Sequence, residues 1–201
     1  MIRLVLATEN KDKVREITSI LREALPLEVR TLSDFPGVKL PAESGANYRE
    51  NAAVKALTVA RAAGEMAMGD DSGLEVEALG GAPGLFSARY AGEGASYADN
   101  RKKLLDALHN LSAERRKARF ICTVAIAWPE GTVRIAEGFC EGIIADCEVG
   151  TGGFGYDPLF WIPEYRKSFA QMTSDEKNRV SHRGRAVRAA AEIIRGVAQH
   201  G

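Results

Sequence analysis

The sequence reads as one domain built from both strands and helices, and three observations carry that expectation. Ile2-Arg3-Leu4-Val5-Leu6-Ala7-Thr8 is an apolar run that reads as a buried strand, and helical periodicity follows at once, with Val14, Ile17, Leu21 and Leu25 on one face. Further strand-like and helix-like stretches follow along the chain. A length of 201 residues suits one domain, or one domain with two lobes, so 1–201 is taken as a single unit.

The first junction is chemically informative. Asn10 or Thr8 can cap the first helix. The stretch Thr8, Glu9, Asn10, Lys11, Asp12, Lys13 thus puts a hydroxyl, an amide, two lysines and free backbone N–H groups at a positive helix end, which suits an anion. It lacks the glycines of a Walker A loop, and the same residues also suit an ordinary capped helix with two solvated lysines. Leu27 to Leu32 reads as a strand. Residues 33–46, with Pro36, Gly37, Pro41 and Gly45, read as a loop that carries Glu43. Asn47 or Tyr48 opens a second helix that runs to about Ala63 and stops at Gly64. Lys55 on that helix has Asn51 one turn before it and Val59 one turn after, so no acid pairs with it at helical spacing and it reads as solvated.

The stretch Gly69-Asp70-Asp71-Ser72-Gly73-Leu74 organises the rest. Residues 66–69 read as a short strand and Leu74 to Leu79 as a second, with a turn after Gly69 aiming the two carboxylates. Paired carboxylates at a strand end suit a hard cation such as Mg²⁺, which takes oxygen ligands. Asp-Asp-Ser-Gly is equally good Asx-turn chemistry.

Residues 80–92 form a long glycine-rich stretch with few polar residues, and a loop of that length inside a compact domain is usually functional. Ser96 and Asp99 make a capping box for a helix reaching about Leu111. Residues 119–128, a turn at 129–131 and residues 132–144 read as a β-hairpin, with Gly138 and Gly142 suggesting bulges. Gly150 to Pro158 is a glycine-rich loop holding Phe154, Gly155, Tyr156 and Asp157. Residues 173–185 lead into a last helix with Val187, Ala190, Ile194 and Val197 inward. Lys177, Arg179, His182, Arg183 and Arg185 gather near its start, where cations are unfavourable. Anionic compensation is expected there, from bound phosphates or from the nearby Asp175 and Glu176.

Composition excludes several classes. Lys+Arg and Asp+Glu are both 27, for a net charge of zero, which argues against a nucleic-acid-coating protein. No apolar run is long enough for a membrane span, and no secretory leader pattern precedes the first strand. Cys122, Cys140 and Cys147 are odd in number and lack a Cys-x-x-Cys spacing, which fits buried thiols of a reducing cytoplasm.

Taken together, the clusters offer cations and N–H groups, carboxylates, and aromatics with bases, which are what a triphosphate, its Mg²⁺ and a purine need. In this order the signatures Thr8-x-Asn10-x-x-Lys13, Glu50-Asn51-Ala52 with Lys55-Ala56, Asp70-Asp71-Ser72-Gly73-Leu74, Gly84 with Ser87-Ala88-Arg89-Tyr90, Gly150 to Pro158, and Glu176-Lys177 with Ser181-His182-Arg183-Gly184 resemble the inosine/xanthosine triphosphate pyrophosphatases over nearly the whole chain. Glu9 departs from the small residue expected in that pattern. The resemblance implies an α/β homodimer whose protomer is a long, twisted, mixed sheet flanked by helices, with two lobes around a central cleft. It implies hydrolysis of deaminated purine nucleoside triphosphates (ITP, dITP, XTP) to the monophosphate and pyrophosphate with Mg²⁺. By the same resemblance Thr8, Asn10, Lys13 and Lys55 hold phosphates, with Glu9, Lys11 and Asp12 in the same turn. Glu43 and Asp71 serve the metal, Asp71 is also the candidate base, and Ser72 touches the substrate. Phe154, Gly155, Tyr156 and Asp157 with Lys177, His182 and Arg183 form the nucleoside end. The competing readings are a pyrophosphatase for pyrimidine or modified nucleotides, a non-catalytic nucleotide or nucleic-acid binder, and a phosphotransferase.

Overall fold

The computed structural model describes residues 2–200, so the two ends of the 1–201 span lie outside the described residues. In chain order the elements are β1 (Ile2–Leu6), α1 (Lys11–Ala24), β2 (Leu27–Thr31), α2 (Tyr48–Ala63), β3 (Ala67–Val76), β4 (Pro83–Gly84), α3 (Tyr97–Leu108), β5 (Lys117–Ala127), β6 (Val133–Ile144), β7 (Phe160–Ile162), β8 (Lys167–Ser168), α4 (Ser174–Val180) and α5 (His182–His200). Among the described residues the strands form one eight-stranded sheet ordered β2-β1-β3-β5-β6-β7-β8, with β4 on β3. The sheet is mixed: β1 runs parallel to β2 and β3, and β7 antiparallel to β6 and β8. The chain folds as two compact units. One comprises the residues up to Asp71, Cys122–Gly138 and those from His182 on, and the other Ser72–Ile121 and Phe139–Ser181. Among the described residues no helix is long and apolar enough to cross a membrane.

In the first unit, β1, α1 and β2 form a β-α-β crossover with Ile2 opposite Leu27 and Leu6 opposite Thr31, as parallel pairing requires. Asn10 is the cap of α1: its side-chain oxygen accepts from the N–H of Asp12 at 2.9 Å and of Lys13 at 3.2 Å. Thr8 supports it by accepting from the Asn10 N–H at 3.2 Å. Strand side chains alternate between two cores. Leu4, Leu6, Met68, Val124 and Ile126 pack with Ile17 and Leu21 of α1 and with Val187 and Ile194 of α5. Val5, Ala7, Ala67, Ala125 and Ala127 pack with Ala52, Ala56, Val59 and Ala60 of α2. Each fully buried Leu or Ile contributes about 1.5–3 kcal/mol. The small residues of α2 bring it close to the sheet: a Cβ at Gly69 would lie 2.6 Å from the Ala52 carbonyl oxygen.

The turn expected after Gly69 is absent, because β3 runs unbroken through Asp70 and Asp71 to Val76, and Glu77–Leu79 is a 3₁₀ turn rather than strand. Tertiary partners for both carboxylates override the local turn preference. Gly138 and Gly142 mark close approaches. A Cβ at Gly138 would sit 2.2 Å from the His182 carbonyl oxygen, and one at Gly142 would sit 2.6 Å from that of Trp161.

The second unit is built around Leu74, Leu104, Leu108, Phe120, Phe160 and Phe169, with the rings of Phe120 and Phe160 4.6 Å apart. Ser96 and Asp99 form the expected capping box, and α3 ends at Leu108 rather than near Leu111. The 80–92 stretch is ordered as β4 and a 3₁₀ turn, with the Ser87 hydroxyl accepting from the Leu74 N–H at 2.9 Å. The basic segment is two helices rather than one. The α4 helix ends at Ser181, whose extended backbone separates it from α5. Cys122 and Cys140 are buried thiols as expected, whereas Cys147, in the loop after β6, is exposed.

Candidate functional site

Because β3 is a strand, Asp70 and Asp71 point to opposite faces. Asp70 shares parity with Met68 and faces α1 and α5. It is 1% exposed, with Lys13 Nζ 2.9 Å and Arg183 Nε 3.6 Å from its Oδ2. Burial alone would raise its carboxyl, but the charges of Lys13, Arg183 and Lys55 hold it far below the usual carboxylate range. Asp70 is therefore a permanent anion whose role is to fix cations. Asp71 shares parity with Ala67 and faces α2. Its Oδ2 accepts from Asn51 Nδ2 at 2.9 Å. Burial pushes its carboxyl up, and although Lys55 and Asn51 oppose this, the net direction is upward, helped by Glu43. Two adjacent carboxylates are thus pushed apart by their surroundings, which is how acid–base roles are separated.

Lys55, read from helical spacing as solvated, is buried. Its Nζ donates to Glu43 Oε1 at 2.5 Å and to the Asp70 carbonyl oxygen at 2.6 Å. The partner acid lies in the loop before α2, where an i,i+4 rule cannot find it. Burial disfavours the Lys55 charge, yet Asp70 and Glu43 outweigh it and raise its pKa. Lys55 likewise draws the Glu43 carboxyl below its ordinary value, against burial. The Glu43 loop is tied to α2 by two further bonds: Gly45 N–H donates to Asn51 Oδ1 at 2.8 Å and Ala46 N–H to Glu50 Oε2 at 2.8 Å.

Arg183, in the first turn of α5, is 3% exposed and donates from Nη1 to Glu16 Oε2 at 2.6 Å. Within the basic segment, Arg183 is thus compensated by Glu16 and Asp70, and Lys177 by Asp157. His182 is also buried, and its carbonyl oxygen lies against Gly138.

The second unit holds its own charged cluster. Asp157 Oδ2 accepts from the Phe154 N–H at 2.8 Å and from Lys177 Nζ at 2.5 Å. Gly153, at φ +69°, makes room for this, since a Cβ there would lie 2.0 Å from that oxygen. Lys177 Nζ sits 4.9 Å from the Phe154 ring centroid, a cation–π contact, and Tyr97 stands 6.1 Å from the same ring. The Gly155 carbonyl accepts from Arg101 Nη1 at 3.0 Å. Tyr156 is buried in the core and its hydroxyl donates to the Ser87 carbonyl at 2.9 Å, so it anchors the loop from below.

In the first unit the structure thus gathers Lys13, Glu43, Lys55, Asp70, Asp71 and Arg183, with Thr8 and Asn10 building the junction, while His182 is buried at the start of α5. Ser72 follows on β3, half-buried, while Glu9 and Lys11 are exposed on the capping turn and Asp12 is half-buried. Sequence reasoning missed Glu16 and the role of Asn51. Asn51 stands one turn before Lys55, so helical spacing from that lysine reaches it, whereas the partner of Glu16 is Arg183, 167 residues away.

Comparison with solved structures first gives the class. The chain superposes on a HAM1 protein from Coxiella burnetii with a TM-score of 0.87 and 37% identity, covering 98% of this chain and 100% of that one. The Ham1 family model matches residues 4–193, and the chain belongs to that family. It is 48% identical over 193 residues to a dITP/XTP pyrophosphatase of Desulforamulus reducens, covering 96% of each chain. It is 54% identical over 184 residues to a dITP/XTP pyrophosphatase of Syntrophobacter fumaroxidans, covering 92% of this chain and 78% of that one.

Proposed function

We propose that this chain hydrolyses deaminated purine nucleoside triphosphates (dITP, ITP, XTP) to the monophosphate and pyrophosphate, keeping non-standard purines out of nucleic acid precursors. The relatives' activity supports the reaction, and one observation carries its assignment to residues: adjacent carboxylates on opposite faces of β3, Asp70 paired with Lys13 and Arg183, and Asp71 bonded to Asn51 with its carboxyl raised by burial.

Hydrolysis at the α-phosphorus needs an oriented water and neutralisation of the leaving pyrophosphate. Asp71 is the candidate base, an ionised carboxylate that takes a proton from water as the water attacks. Lys13 and Lys55, both held in place by acids, supply positive charge to phosphate oxygens. The Thr8-to-Lys13 turn offers N–H groups at the α1 N-terminus. By the family resemblance we assign Phe154, Asp157 and Lys177 of the second unit to the nucleoside, Phe154 by stacking; Arg183, on α5 of the first unit, offers donors that suit a C6 carbonyl and reject a C6 amino group.

The donor set fits Mg²⁺. Glu43 and Asp71 offer hard carboxylate oxygens. Mg²⁺ suits such a place, since it is held by one or two carboxylates together with water and substrate phosphates. When bound, the cation would neutralise developing charge on phosphate oxygens. We further read the protein as a cytoplasmic homodimer; sedimentation velocity tests the assembly.

The test is a nucleotide panel with Mg²⁺, measuring pyrophosphate from dITP, ITP, XTP, GTP, ATP and dUTP. Preferential release from dITP, ITP and XTP is expected. Preference for dUTP, orthophosphate as product, or transfer to an acceptor would replace this reading with one of its competitors.

A further inference from the structure

We propose that Asn51 is a positioning residue that clamps the Asp71 carboxylate to the loop carrying Glu43. This rests on the pyrophosphatase reading for its chemical meaning. The geometry is independent of that reading. Asn51 lies in the first turns of α2 and is 6% exposed. It is not the helix cap, because Asn47 accepts from the Glu50 N–H at 2.9 Å and fills that role. Asparagine is a poor helix-interior residue, and here its side chain bonds outside the helix. Its Oδ1 accepts from the Gly45 N–H at 2.8 Å and its Nδ2 donates to Asp71 Oδ2 at 2.9 Å. A backbone N–H only donates and an ionised carboxylate only accepts, so the amide has one satisfying orientation.

The bridge is short because Gly45 has no side chain: a Cβ there would meet Asn51 Oδ1 at 2.6 Å and the Glu50 Cβ at 2.9 Å. Glu50 holds the next N–H, that of Ala46, at 2.8 Å. Glu43 stands two residues before Gly45, and its carboxylate is steered by Lys55, one turn along α2 from Asn51. One helix therefore sets both carboxylates, Glu43 through Lys55 and the loop N–H groups, and Asp71 through Asn51. The clamp fixes which Asp71 oxygen is engaged and holds the Glu43 loop against the same amide. Fixing a carboxylate in this way improves both a base and a cation ligand without touching substrate.

The test uses Asn51→Leu, which keeps the γ-branched shape and removes both bonds, and Asn51→Ala as a second variant in case the larger leucine packs badly. Three readouts are taken on the full chain: steady-state kinetics on dITP, Mn²⁺ binding to nucleotide-free protein by electron paramagnetic resonance, and hydrogen exchange of the Gly45 amide. Loss of the clamp should lower kcat by about 10–100-fold with KM nearly unchanged, weaken Mn²⁺ binding by about tenfold and speed Gly45 exchange. In an Asp71→Asn background the Asn51 change should cost little further kcat, because the two act as a unit. A kcat within roughly twofold of wild type, or equal losses in both backgrounds, overturns the proposal while leaving the pyrophosphatase reading intact. If wild-type protein releases no pyrophosphate from dITP or XTP, that reading fails instead. The Mn²⁺ and Gly45 readouts then decide the clamp alone: weaker binding with faster exchange supports it, and no change in either overturns it.

Discussion

Replacing Asp70 with asparagine keeps its shape and removes the charge on which Lys13, Arg183 and Lys55 converge. Asp70 is 1% exposed, Lys13 Nζ is 2.9 Å away and Arg183 Nε 3.6 Å away. Removing one member of a buried ion pair costs about 3–5 kcal/mol, because the partner charge is left uncompensated. Two features lower the expectation: the Lys13 side chain keeps 16% exposure and Arg183 keeps Glu16 at 2.6 Å. The loss should therefore fall at the low end, about 3 kcal/mol. For a chain of this size that corresponds to a fall in Tm of about 6–12 °C. Urea unfolding of both proteins, with unchanged m-values, measures it directly. The pH dependence is set by the depressed Asp70 carboxyl. Its contribution is complete above the ordinary carboxylate range and disappears as pH falls through the folded value beneath that range. The gap between wild type and Asp70→Asn should hold from about pH 8 to about pH 5 and close only below about pH 4. A variant within about 1 kcal/mol of wild type at neutral pH, or a gap that already closes near pH 6, refutes the permanent-anion assignment.

Three further outcomes follow from the same geometry. Asp71→Asn should keep the fold and lose at least about 10²-fold in kcat, and near-normal turnover with unchanged Mg²⁺ dependence would remove Asp71 from the chemistry. Lys13→Ala should weaken dITP binding more than dIMP binding, since a charge-assisted contact to the outer phosphates exists only in the triphosphate; equal losses by calorimetry would place Lys13 elsewhere. For Arg183→Ala the ratio of kcat/KM for ITP to that for ATP should collapse, as a site built on a hydrogen bond can reject the wrong partner by up to about 10⁴-fold. Equal losses on both substrates would leave Arg183 as a structural post between Glu16 and Asp70.

Local signals were read well from the sequence. A cap at Thr8 or Asn10, Gly64 as stop and Ser96 with Asp99 as capping box each involve residues within a few positions of one another, and the structure keeps all three, with Asn10 as the cap. Nonlocal partners were not legible. Lys55 looked solvated because its acid, Glu43, lies outside the helix, and Asp70-Asp71 looked like a turn because their partners come from α1, α2 and α5. The same blindness hid Glu16, whose Arg183 partner is 167 residues away. Gly138 and Gly142 looked like bulges because sequence shows a missing side chain and not the backbone that fills its place. In each case tertiary packing supplied what the local pattern left open.

The most direct measurement of the central claim is the fate of the attacking oxygen. Wild-type protein is incubated with dITP, and separately with XTP, in ¹⁸O-labelled water with Mg²⁺, and the products are weighed by mass spectrometry. Attack at the α-phosphorus predicts one labelled oxygen in the monophosphate and unlabelled pyrophosphate in equal amount. Label in the pyrophosphate, release of orthophosphate, or no turnover of either nucleotide would contradict the account.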